Sequence, residues 1–165
     1  RKQATGPEQL ASLIRASLKV SNENLRIEAV KAIPTLLEIP EEVPDLVTGA
    51  VNDPSSEVRA YAMDAVNELS DDTKLKVYES TIAAPDHEVR KTTITELSRI
   101  HSKQSFEVLM KGLETEDAGF REEVNFEIGA LVNRTFGSYS QAKAWWDTEG
   151  SPNYDDTMIY TGDDE

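Results

Sequence analysis

Residues 53–69 read Asp-Pro-Ser-Ser-Glu-Val-Arg-Ala-Tyr-Ala-Met-Asp-Ala-Val-Asn-Glu-Leu. At the centre stands Val58-Arg59, and an apolar residue followed by arginine recurs as Leu25-Arg26, Val89-Arg90 and Phe120-Arg121. The arginines are 33, 31 and 31 residues apart. Such a period accommodates two short helices and a turn, so the chain reads as a stack of repeats. Three residues after each arginine come Ala29, Ala62, Thr93 and Val124; seven after come Ile33, Val66, Leu97 and Ile128; ten after come Leu36, Leu69, Ile100 and Leu131. Offsets of three, seven and ten share one helical stripe, which predicts an amphipathic first helix in every repeat.

Counting back from each pair defines a second helix. Leu18, Val51, Ile82 and Leu113 lie seven residues before it, Ile14, Val47, Tyr78 and Leu109 eleven before, and Leu13, Leu46, Val77 and Val108 twelve before. The predicted order is a lone second helix near 7–20, three hairpins, and a last first helix near 117–134. Pro54 and Pro85 fall at helix starts, where a missing N–H costs nothing, and Asp53 reads as an N-cap. Glu57 and Glu88 complement the positive end of the helix dipole. Eight residues after the arginines stand Pro34, Asn67, Ser98 and Gly129, four poor helix formers that predict a bend in each first helix.

In this register residues 53–69 resemble the first helix of HEAT repeats, as do 84–97, with Thr93 and Glu96 as departures, and 22–37 through Leu25-Arg26, Ala29, Ala32 and Leu36. The resemblance extends over about residues 7–134. It implies an all-α fold, a right-handed alpha-alpha superhelix or solenoid of about four HEAT-like helical hairpins, with second helices lining a concave side. It also implies that the arginines pair with acids of the adjacent repeat, for which Asp53, Asp86 and Asp117 are placed. Beyond the repeats, Phe136-Gly137 and Trp145-Trp146 are similar to a terminal Phe-Gly then Trp-Trp segment of some bacterial HEAT-repeat proteins. Phe136, Tyr139, Trp145 and Trp146 are expected to cap the last apolar face. The division is a HEAT-like repeat domain with an aromatic cap over residues 1–149 and an acidic, mobile tail over 150–165.

Thirty-one acidic against 17 basic residues give a net charge of −14, which opposes binding to nucleic acid or an anionic membrane. Without cysteine, disulfides and thiolate metal sites are excluded, and cytoplasm and periplasm both stay open. No apolar run is long enough for membrane insertion. Beginning at Arg1 without methionine, the chain is expected to be processed or shortened. Phosphate loops, nucleophile elbows and His-Glu-x-x-His helices are missing, and His87 and His101 are nearly four helical turns apart. No catalytic, cofactor-binding or metal-ligating residue is predicted.

What remains is the exposed side of the second helices. Thirteen residues before the pairs stand Ser12, Asp45, Lys76 and Glu107; ten before stand Arg15, Thr48, Glu79 and Met110; nine before stand Ala16, Gly49, Ser80 and Lys111. The first row can pair within itself, or the rows can form a shallow polar groove for an extended peptide. The predicted function is a non-enzymatic scaffold or adaptor whose concave face binds a basic or mixed-charge protein segment through Asp45, Thr48, Lys76, Glu79, Glu107 and Met110. HEAT-like folds also carry enzymes, including DNA-base-removing ones and bilin lyases, so an enzyme, an accessory subunit or a spacer between domains is the alternative.

Overall fold

The computed structural model describes residues 6–163. Every regular element among them is helical, and two compact units divide the chain, residues up to Val89 and residues from Arg90. The border falls in the first turn of a helix spanning His87–Ile100.

In the first unit the helices are α1 (Pro7–Ser17), α2 (Glu23–Ala32), α3 (Val43–Ala50), α4 (Ser56–Val66) and α5 (Asp71–Thr81). First helices pack on first helices, α2 on α4, and second on second, α3 on α5, while α1 lies against α2. The predicted stripe makes these contacts: Ala29, Ile33, Leu36, Ala62 and Val66 are buried, as are Leu46, Val47, Val51, Val77, Tyr78 and Ile82. Two members of the apolar columns depart from this. Leu13 is 60% and Leu25 54% exposed. Helix starts are capped by Asn22, Ser55 and Ser70, each accepting a backbone N–H from three residues on.

The second unit holds the rest of α6 (His87–Ile100), α7 (Lys103–Lys111), α8 (Ala118–Val132) and α9 (Tyr139–Trp145). His101 and Asn133 adopt left-handed φ of 52° just beyond α6 and α8, the usual way for a chain to leave a helix. After α9 a π-helical turn (Trp146–Gly150) and a short helical turn (Ser151–Asn153) lead to an antiparallel bridge between Tyr154 and Tyr160.

Several expectations need correcting. The helix-disfavouring column acts unevenly: α2 passes into a 3-10 turn at Ile33–Thr35 and α4 stops before Asn67, but α6 and α8 run through Ser98 and Gly129. Only Pro34 lacks the N–H that a helix requires. Asp53 is not the N-cap of α4, a role taken by Ser55; its carboxylate accepts the Ser55 N–H and the Arg26 guanidinium.

The acidic end also differs from a tail without partners. Lys103 donates its backbone N–H to Asp156 O and its ammonium to Ser151 O, and Met158 is buried. These contacts are apolar or use main-chain carbonyls, which a count of carboxylates cannot reveal. Asp164 and Glu165 lie outside the described residues.

Asp155 organises this segment, accepting the Ile159 N–H, the Thr157 N–H and the Thr157 hydroxyl. Hydrogen bonding from Ile159 first and Thr157 next holds its carboxyl below the usual aspartate range. A lowered native pKa gives stability that is present above the unfolded value, about 3.9, and lost as pH falls through the native one. In an NMR titration the Thr157 and Ile159 amide shifts should therefore move with a midpoint below about 3.9. A midpoint at or above that value would show that the turn does not favour the ionised carboxylate.

Candidate functional site

The repeat register places side chains on the second-helix layer, and three arginines hold that layer in position. Arg26 donates from Nε and Nη2 to the two oxygens of Asp53, at 2.8 and 3.1 Å. Arg59 meets Asp86 at 3.4 Å, and Arg90 meets Asp117 at 3.4 Å. Every pair joins residues 27 apart, an arginine in one first helix and an aspartate in the turn before the next. Arg26–Asp53 is the most enclosed, with side chains 11% and 7% exposed. Hydrogen bonding to Asp53 holds the Arg26 guanidinium even more firmly protonated than usual.

Each pair brackets one second helix in sequence. Between Arg26 and Asp53 lies α3, between Arg59 and Asp86 lies α5, and between Arg90 and Asp117 lies α7. In the first unit the packed helices α3 and α5 present Asp45, Lys76 and Glu79, all exposed, and Thr48, half-buried with its hydroxyl donating to Pro44 O. Asp45 and Lys76 form no ion pair among the described residues, so the first row does not neutralise itself. The charge pairing on this layer is instead between Arg15 and Glu42, at 2.6 Å. Gly49 and Ser80 are exposed, and a Cβ on Gly49 would meet nothing within 4 Å. The floor between the rows is shallow, as small residues there predict.

Glu107 and Met110 belong to the second unit, Met110 buried and Glu107 exposed but engaged. Met110 is 1% exposed. Glu107 accepts a hydrogen bond from the Trp146 indole N–H at 3.0 Å. The reason is local: α9 packs on α7 and brings the Trp146 indole to Glu107.

That cover is a chain of aromatic rings. Trp146, buried, lies 4.7 Å from Phe106 and 6.0 Å from Trp145, which continues to Phe136 at 5.3 Å and Tyr154 at 6.4 Å. Arg134 sits over the Trp145 ring at 5.1 Å, and burial pushes the Tyr154 hydroxyl above its ordinary pKa. Gly150 is required where the rings close, because a Cβ there would stand 2.6 Å from Trp146. The first row and the cap meet at Glu107, a junction the sequence hides because residues 107 and 146 are 39 apart.

An open hollow of about 300 Å³ is lined by Val51, Asn52, Asp53, Arg59, Pro85 and Asp86. Its charged groups are spent on the arginine pairs and on the Arg59 bond to Asp53 O. Among the described residues no three His, Asp or Glu side chains are grouped to hold a metal ion. His87 opens α6 and His101 follows its end, as helix-terminal positions require.

A family model for HEAT repeats matches residues 43–129, from the start of α3 into α8 and more than half of the chain. The chain belongs to the HEAT-repeat family. HEAT repeats are generally protein-interaction scaffolds, commonly bind proteins and are typically non-catalytic. No curated protein matches the chain. Among the described residues no helix is long and apolar enough to cross a membrane.

Four substitutions separate the cap from the open rows. Trp146→Ala should cost about 3–5 kcal/mol of unfolding free energy, and Glu107→Lys about 0.5–1.5 kcal/mol through the lost indole bond. Asp45→Lys and Glu79→Lys should leave urea denaturation nearly unchanged. Equal loss of stability in all four would show that the α3 and α5 rows are structural as well.

Proposed function

We propose that this HEAT-repeat domain is a non-enzymatic scaffold that holds a basic or mixed-charge peptide segment of another protein on the face of α3 and α5. The observation that carries the reading is the contrast between repeats. At the register-equivalent positions of α7, Glu107 is engaged by the chain's own cap and Met110 is buried, while Asp45, Thr48, Lys76 and Glu79 stay accessible on α3 and α5. Asp45 and Glu79 offer carboxylates to a cationic segment, Lys76 offers the opposite charge at the same height, and Thr48 adds a short-range polar contact. Gly49 and Ser80 let an extended backbone approach closely. The net charge of −14 draws cationic partners and slows polyanions. Nucleic acid is therefore not the ligand in this reading, nor is a membrane.

The scaffold reading needs no turnover. Fluorescence anisotropy with a panel of labelled peptides of about 15 residues, graded from basic to acidic, tests it. Basic and mixed-charge members should bind, more weakly as salt rises, and Asp45→Lys with Glu79→Lys should reduce affinity by roughly 10-fold or more. Binding that survives the double variant would move the site to another face. Absence of binding by any peptide would favour a spacer, and turnover of a substrate by the purified domain would favour an enzyme.

A further inference from the structure

The arginine column has four members, and three of them hold a carboxylate 27 residues further along the chain. The fourth is Arg121, on α8. Like Arg26 and Arg59 it donates Nη1 to the carbonyl six residues back, here Thr115 O at 2.7 Å. No carboxylate pairs with it among the described residues. The residue 27 positions beyond is Thr148, neutral, its hydroxyl donating to Ala144 O.

The closing segment covers this end of the second unit only in part. One turn along α8 from Arg121, Asn125 donates to Phe136 O at 2.8 Å and accepts the Phe136 N–H at 2.9 Å. A further turn on, Gly129 lies against Thr135. Residues 135–136 thus serve positions 125 and 129, on the same face of α8 as Arg121, and bring no acid to 121. Arg121 remains half-buried and anchored at one nitrogen, with the rest of its planar fork of donors unused.

We propose that Arg121 is an open carboxylate-binding position that takes an aspartate from the helix-start turn of another polypeptide, continuing the ladder across a protein interface. Half-burial and the anchor on Thr115 O hold the guanidinium before the acid arrives, which favours a bidentate contact. The occupant is a different protein rather than a second copy. On a copy, the turn before α2 carries Val20, Ser21 and Asn22, none of them acidic, and Asn22 is occupied as the α2 cap. This site is separate from the α3–α5 face and asks for the opposite charge.

The probe is a synthetic peptide copying residues 49–63, whose Asp53 is the most enclosed acid of the ladder, added to the full chain at millimolar concentration. The Arg121 Nε–Hε signal should shift in NMR, and the peptide carrying Asp53→Asn should bind at least about 10-fold more weakly. Arg121→Gln should remove the effect with the melting temperature nearly kept, and Arg121→Lys, charged but without a fork, should restore little of it. An absent shift, or equal shifts from the Asp and Asn peptides, would overturn the proposal. Succinate moving the signal as strongly as the peptide at equal concentration would overturn it too, by making Arg121 a site for small acids.

Discussion

The second helices of this protein are held by a bond between an arginine in one repeat and an aspartate in the turn that opens the next. A helix such as α3, eight residues long, is too short to be stable alone, and its position depends on tertiary support. Packing of apolar stripes supplies most of the energy but tolerates sliding along the helix axis. A guanidinium gripping a carboxylate in two directions does not. The pair therefore fixes height and rotation where the stripe fixes depth. Its enclosure matters because a charge this far from water is costly unless its partner stays in place.

The same constraint explains why the two ends of the repeat array differ. A repeat buries its face only against a neighbour, so the last one needs a substitute. Here the substitute is aromatic: Trp146 and Phe106 provide area that a missing hairpin would have given, and Glu107 satisfies the indole N–H that burial would otherwise strand. That use converts a surface acid into part of the cap. It also leaves α3 and α5 as the second helices whose polar rows face outward with small residues between them, which is where the functional proposal rests.

The fold was legible because it is written several times over. The apolar columns and the arginine period specify helix, register and layer redundantly, so one exception such as Thr93 does not blur them, and its burial shows the column held. The arginine pairs were legible in kind, through the three aspartates, but not in direction. Asp53 stands six residues before Arg59 and looks like its local cap, whereas its carboxylate serves Arg26, 27 residues earlier. The burial of Met110 and the bond from Trp146 to Glu107 were not legible, because register equivalence assumes equal neighbours and α9 packs on α7. Composition did not reveal the contacts of residues 150–163, which are a buried Met158 and main-chain bonds. Placement of the candidate groove on particular helices followed from the period; which of its residues stay accessible did not.

A double-mutant cycle on Arg26 and Asp53, read by urea denaturation with Arg26→Gln, Asp53→Asn and the double variant, tests the central claim most directly. If the pair locks successive repeats, the two single changes will each destabilise and their sum will clearly exceed the effect of the double. The same cycle on the more exposed Arg90 and Asp117 will give a smaller coupling. Additive effects at Arg26 and Asp53 would contradict the account, leaving apolar packing alone to set the register of the repeats.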